Sequence, residues 1–381
     1  MAEAGNDIPR QGNRFKRHPW LSRALLLLVL LLLSEGALRL AAQAGLYPYQ
    51  MYPTSFNPVY WDDIDPHFGV WHHPHASLRH QSSCFDVTYT SNSHGARDRE
   101  RGESTGGRPR VVVLGDSYVE GYGNPLEQRC SEILEKKMSM EFLNFGTSGN
   151  FGSIQEWQLY EHLARRFEHT AVVLLLLPFN DFSDNRATDF PRERYRPYLR
   201  NNSGHYELYY TVDFEKRRRD FRKLSTIVKN TIDNHVYVAN FLRWAVRLLK
   251  KKEGAAPPDH GLPEQAPYMS YAAEDMAQLL YSYEKILALA GGLPLHVFSI
   301  PSSLDYQAYA AGRRQFPLQC DMAQFAGVHP HFYFHDLLPD FYAYLQAHDL
   351  HYGDLTLGCD EHWGALGHQL AAESIQRELL R

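Results

Sequence analysis

The chain has only four cysteines, Cys84, Cys130, Cys320 and Cys359, and no two of them are spaced as a zinc site requires. If one bridge forms in an oxidising compartment, Cys320 with Cys359 is the pair expected; buried free thiols are the alternative. Charge of one sign is lacking too. A formal net charge of -5 supplies no basic excess for a nucleic-acid surface, so no nucleic-acid partner is expected. No internal repeat is visible. No long uninterrupted apolar run occurs either: Ala24 to Leu33 is uncharged, but it falls short of the roughly 20 residues that cross a bilayer core.

What surrounds that run makes it an address. Arg10, Arg14, Lys16, Arg17 and Arg23 precede it, and a basic flank before an apolar stretch reads as a secretory signal or a membrane anchor. Extension from 24 to 44 gives spanning length but admits Glu35 and Arg39, which stand four residues apart and can pair on one helix face. The small residues at 41–44 allow a cleavage site, although two charges separate them from the apolar run. An uncleaved signal-anchor is therefore expected, with residues 1–23 as a basic cytoplasmic segment and the remainder outside the cytoplasm. Cleavage, giving a secreted protein, and a buried soluble helix are the alternatives.

Residues 46–109 are rich in Pro, His, Tyr and Asn and hold one alternating stretch, "FDVTYTSN", that reads as a half-buried strand. From Arg110 the texture changes. "RVVVLG", "EFLNFG", "AVVLLLLP" and "PLHVFSIP" are short apolar runs that read as buried strands, and helical spacing fills most of the intervals. This alternation predicts an α/β fold of three layers, α/β/α, with a central parallel sheet over residues 110–381. A block at about 190–267 interrupts it, carrying "EKRRRDFRK", a predicted helix "NHVYVANFLRWAVRLLKKK" and a Pro/Gly-rich linker. Such a charge run reads as a solvated face, with contact to anionic lipid or ligand as the alternative. The histidines of "WHHPHASLRH", His72, His73, His75 and His80, lie on a Pro-interrupted loop without the spacing of a metal site, so no metal or cofactor is expected.

Ser117, in "VVVLGDSYVEGYG", follows an apolar strand and precedes a helix, at the sheet edge where catalytic groups of such folds stand. The glycine pattern of an α/β-hydrolase elbow is not met, because position 119 is Val. A serine nucleophile needs a base and the base an orienting partner; "CDEHWGALGHQLAAE" offers His362 and, two residues before it, Asp360. Asp354 is the rival carboxylate, while His368 reads as helix surface or core. Oxyanion donors are expected at strand ends from Gly149 in "NFGTSGNFG" and Asn180 in "LLPFND".

These four blocks, in this order, resemble the SGNH/GDSL hydrolase family. "FDVTYTSNSHGARDRE" is similar to the segment before the serine block in membrane-anchored bacterial members, and the closing "DEHWGALGHQLAAE" is similar to their last signature. The resemblance covers roughly residues 60 to 381. It implies a flavodoxin-like fold, Ser117 as nucleophile and oxyanion donor, Gly149 and Asn180 as the other donors, and His362 as base oriented by Asp360. The sequence departs from the family in three places. Tyr118 replaces Leu, Pro178 and Phe179 precede Asn180, and the acid stands two residues before the histidine where many members use three; Cys359 occupies that third position. The expected activity is ester hydrolysis through an acyl-serine, on an O-acetylated glycan, a lipid or a small ester. An O-acyltransferase acting on a cell-surface polysaccharide and a non-catalytic binding or assembly protein are the alternatives.

Overall fold

The computed structural model describes residues 19–51, 59–188, 194–252 and 266–380. The basic residues Arg10 to Arg17, most of the Pro/Gly-rich linker and the start of the predicted insertion lie outside the described residues. The first element among the described residues is α1 (Pro19–Gln43), long and apolar enough to cross a membrane. Two antiparallel hairpins follow, β1 (Trp61–Asp65) with β2 (Gly69–His72) and β3 (Ser77–Gln81) with β4 (Asp86–Thr90). On β4 the alternation read from the sequence is realised, with Val87 and Tyr89 inward.

The α/β unit then runs β5 (Arg110–Gly115), α2 (Ser117–Glu120), α3 (Cys130–Met138), β6 (Glu141–Gly146), α4 (Ser153–His162), β7 (Ala171–Leu176) and α5 (Pro178–Asp184). Next come a third hairpin, β8 (Pro197–Asn202) with β9 (His205–Tyr210), and three helices: α6 (Phe214–Phe221), α7 (Leu224–His235) and α8 (Tyr237–Lys252). The unit resumes with α9 (Ala273–Ala290), β10 (Leu295–Ser299), α10 (Ser303–Ala310), α11 (Pro317–Val328), β11 (Phe332–Asp336), α12 (Leu338–Ala347) and α13 (Ala365–Leu379). Five strands form one parallel sheet in the order β11-β10-β7-β5-β6.

Successive side chains of a strand point to opposite faces, so a strand covered on both sides must be apolar throughout. The two faces separate cleanly here. Val112, Leu114, Val172 and Leu174 pack with Ile154 of α4, Leu279 and Ile286 of α9 and Leu318 of α11. Their neighbours Val111, Val113, Val173 and Leu175 pack with Leu134 of α3, Phe341 of α12 and Ile375 of α13. This is the expected three-layer α/β/α architecture. Because all five strands run parallel, the loops after β5, β6 and β7 converge at one edge, carrying Ser117, Gly149 and Asn180.

The cysteine expectation is corrected. Cys84 pairs with Cys359, while Cys130 is buried and free and Cys320 exposed and free. Cys320 rides on α11, on the sheet face opposite α13, whereas the turn between β3 and β4 brings Cys84 to the loop before α13. The bridge closes a loop across a sequence separation of 275. Cys84→Ser is therefore expected to lower unfolding free energy by about 2–5 kcal/mol, read by denaturant titration. Cys320→Ser should leave it unchanged.

Candidate active site

Ser117 opens α2 directly beyond β5, and Asp116 caps that helix, its carboxylate accepting from the Tyr118 N–H at 2.9 Å. The hydroxyl Oγ of Ser117 lies 2.7 Å from His362 Nε2. On the other side of the ring, Nδ1 meets Asp360 Oδ1, which also accepts from the His362 backbone N–H at 3.0 Å. Ser117, His362 and Asp360 stand in one hydrogen-bonded line.

Local backbone pairing presents the histidine. Leu357 N–H donates to the His362 carbonyl at 2.9 Å, and an antiparallel bridge joins Thr356 to Trp363, so the intervening turn holds Asp360 beneath the ring. Asn124 donates to the Trp363 carbonyl at 2.7 Å. Tyr118, at the position where the family has Leu, donates its hydroxyl to the Glu361 carbonyl at 3.0 Å. The Tyr118 and Tyr122 rings lie against the imidazole, with centroids at 5.1 and 4.4 Å. Asp354, the rival acid, instead accepts from His351 N–H at 2.7 Å and caps its own turn. His368 is a core histidine: burial pushes it down to about 3, and its Nδ1 accepts from the Cys130 N–H at 3.4 Å.

Burial alone would lower the His362 pKa, but the adjacent Asp360 carboxylate outweighs it and leaves the imidazole above its ordinary value. Asp360 is pushed up by burial and pulled down more strongly by His362, to about 2. The pair is therefore arranged to stabilise an imidazolium beside an ionised carboxylate.

Asn180 sits in the first turn of α5. Pro178 at the start of that helix gives up an N–H that would have had no helical partner, which is why the departure from the family pattern is tolerated. The Asn180 amide nitrogen donates to Asp116 Oδ2 at 3.1 Å, one residue from the serine. Gly149 has φ of +113°, a backbone state that favours glycine, and a Cβ there would stand 3.2 Å from Arg194 Nη1. Among the described residues no hydrogen bond joins Gly149 to the other four. Behind these groups, Glu156 and Asp181 are pushed well above the usual carboxylate range, first by burial and next by neighbouring acids.

Sequence reasoning missed the residues that fix these loops relative to one another. Glu120, three residues after Ser117, accepts from Trp61 Nε1 at 3.1 Å and binds both the backbone N–H and the hydroxyl of Ser148 beside Gly149. A Cβ on Gly146 would fall 2.3 Å from the Glu120 backbone nitrogen, so glycine permits this approach. His72 Nε2 lies 3.2 Å from Glu120 Oε1, and its Nδ1 is 2.8 Å from the Gly95 carbonyl. Burial pushes the Glu120 carboxyl up, but His72 and Arg97 prevail and hold it below its ordinary value. The four clustered histidines therefore go to separate partners: His73 to Asp62, His75 to Glu100 and His80 to Tyr89. Since Glu120 is fully buried, Glu120→Ala leaves the Trp61 and Ser148 donors without their acceptor and is expected to lower stability by about 1–3 kcal/mol for each stranded donor, read by denaturant titration.

No family model and no curated protein matches the chain. Among solved structures it is similar to a member of the lipolytic protein G-D-S-L family from Veillonella parvula DSM 2008, with 12% identity, a TM-score of 0.37, and 71% of this chain and 98% of that one covered. A putative lipolytic protein of G-D-S-L family from Desulfitobacterium hafniense DCB-2 matches at 11% identity and a TM-score of 0.32, covering 70% of this chain and 98% of that one. A Lactobacillus plantarum protein matches at 16% identity and a TM-score of 0.34, covering 71% and 96%. Two of these three proteins are described as G-D-S-L family members, the family that the sequence blocks resemble. With TM-scores below 0.5, the functional reading rests on the geometry of the site itself.

Proposed function

We propose that the chain is a serine ester hydrolase, held at a membrane by α1 with its catalytic domain outside the cytoplasm. The observation that carries this reading is the 2.7 Å contact between Ser117 Oγ and His362 Nε2, with the opposite ring nitrogen on Asp360. In the proposed reaction His362 takes the Ser117 proton as Oγ attacks the ester carbonyl. Asp360 holds the tautomer and stabilises the resulting imidazolium. The Ser117 and Gly149 N–H groups and the Asn180 amide donate to the tetrahedral oxyanion. His362 then protonates the departing alkoxide, and water, deprotonated by the same ring, releases the acid from the acyl-serine.

The test is turnover of acetyl, butyryl and longer esters by the detergent-solubilised full chain, with and without an oligosaccharide acceptor. Ester hydrolysis that is independent of acceptor supports the proposal. Acyl transfer only when the oligosaccharide is present would assign an O-acyltransferase, and no turnover under any condition would assign a binding or assembly role.

A further inference from the structure

We propose that α7 and α8 lie on the bilayer surface beside the anchor, with their exposed apolar side chains at the acyl boundary and their basic residues on anionic lipid headgroups. This rests on reading α1 as a retained anchor.

The end of α1 is built into α8. Glu35, an acid that a spanning helix would otherwise carry at a cost, accepts from the N–H groups of Tyr237 and Val238 at 2.9 and 3.0 Å and so caps the first turn of α8. The Arg39 guanidinium lies 5.0 Å from the Tyr237 ring centroid. Leu38, Ala41 and Ala42 of α1 pack with Tyr47, Tyr49, Met51 and Tyr237, and cleavage within 41–44 would divide this cluster. The segment that follows the anchor is laced to both helices: Tyr49 donates to the Asn234 carbonyl at 2.5 Å, and Asn240 donates to the Gln50 carbonyl at 2.6 Å. Where α1 ends, α7 and α8 are thus held against it.

Both helices leave large apolar residues facing outward. On α7 these are Leu224, Ile227, Val228 and Ile232, the first 75% exposed. On α8 they are Leu242, Val246, Leu248 and Leu249, of which Leu242, Val246 and Leu249 are spaced four and three residues apart on one face, with Leu249 63% exposed. Tyr237 and Asn240, which face the protein, lie on the opposite side of the same helix. At 12 and 16 residues the two helices are too short to span, since crossing takes roughly 20.

Charge selects the occupant. Residues 214–252 carry twelve Lys and Arg against three Asp and Glu, within a chain whose net charge is -5. An apolar stripe flanked by concentrated positive charge, fixed at the end of an anchor helix, is complementary to an anionic lipid surface. The solvated face expected from the charge run is in part corrected here, because Arg217 turns inward and pairs with Asp63 at 2.9 Å. Through Met51, whose N–H donates to the Gln81 carbonyl, the same layer adjoins β3, and the turn after β3 bears the Cys84 tied to Cys359 beside Asp360. The surface contact would therefore also set the orientation of the catalytic loop above the membrane.

The test uses the full chain in vesicles with Cys320→Ser, so that an introduced cysteine carries the only exposed thiol among the described residues. A polarity-sensitive fluorophore is placed at Leu249→Cys, at Leu28→Cys as the anchor reporter, and at Val328→Cys as a water-exposed control. In vesicles of phosphatidylcholine with about 30% phosphatidylglycerol, nitroxide-labelled lipid is expected to quench the label at 249 by about half or more, and at least about twofold less in pure phosphatidylcholine. Position 328 should remain unquenched. Quenching at 28 without quenching at 249 overturns the surface contact and leaves the anchor standing. Quenching at 249 without quenching at 28 keeps the surface contact and removes the anchor; absence of both overturns both. Equal quenching at 249 in the two lipid mixtures overturns the selection for anionic lipid. A blue shift at 249 that grows with protein concentration in detergent and is lost in vesicles would assign the face to a second copy of the chain.

Discussion

Ser117→Ala is expected to abolish ester turnover, lowering kcat by about 10,000-fold or more, because the members of such a site act as a unit and loss of the nucleophile leaves only binding and oxyanion stabilisation. The fold should be unaffected. Ser117 is half-buried at the start of a helix whose cap comes from Asp116, and the hydroxyl's partner is His362. Unchanged far-UV circular dichroism and an unchanged denaturant midpoint, with turnover gone, is the predicted combination. An alanine variant that retains turnover would remove Ser117 from the mechanism.

Asp360→Asn is expected to have the next largest effect, roughly 10,000-fold in kcat, because the amide can donate to Nδ1 and so leave the ring proton on Nε2, which faces Ser117, and because it lacks the charge that stabilises the imidazolium. The pH dependence gives a second readout. His362 must be neutral to accept the Ser117 proton, and Asp360 raises its pKa, so the acidic limb of kcat/KM should lie above the ordinary histidine value in the native chain. Removing the carboxylate destabilises the imidazolium, and the limb should move to lower pH. Asp354→Asn should leave both the rate and the limb unchanged, since that side chain caps its own turn. A shifted limb in Asp354→Asn, with none in Asp360→Asn, would reverse the assignment.

The parts of the fold that were legible in the sequence are those whose cause is local. β5, β6, β7 and β10 are covered on both faces, so each reads as a short, mostly apolar run. β11 went unread because its sequence is mixed: "FYFHD" places His335 and Asp336 at half-buried positions, and no apolar run marks it. β1, "WDDID", looks like a loop. Its buried Asp63 is acceptable because Arg194 and Arg217, far along the chain, close on it at 3.4 and 2.9 Å and the Tyr195 N–H donates to it at 3.0 Å.

The same division holds in the site. Ser117, His362 and Asp360 were legible because the chemistry demands those residue types in separate short blocks. Glu120 was not, because its partners His72, Trp61 and Ser148 come from three other segments that the fold alone assembles. The Cys84–Cys359 bridge was missed for that reason too: what places Cys84 near the histidine loop is the position of a hairpin, and sequence separation gives no measure of it.

The central claim is that Ser117 is a nucleophile activated by His362. The most direct measurement is peptide mapping of the full chain after reaction with a fluorophosphonate ester, which forms a covalent bond only with an activated serine oxygen. The account predicts one stoichiometric adduct on the peptide containing Ser117, formed at a rate that falls steeply in His362→Ala. An unlabelled Ser117, or labelling that is as fast without His362, would contradict it.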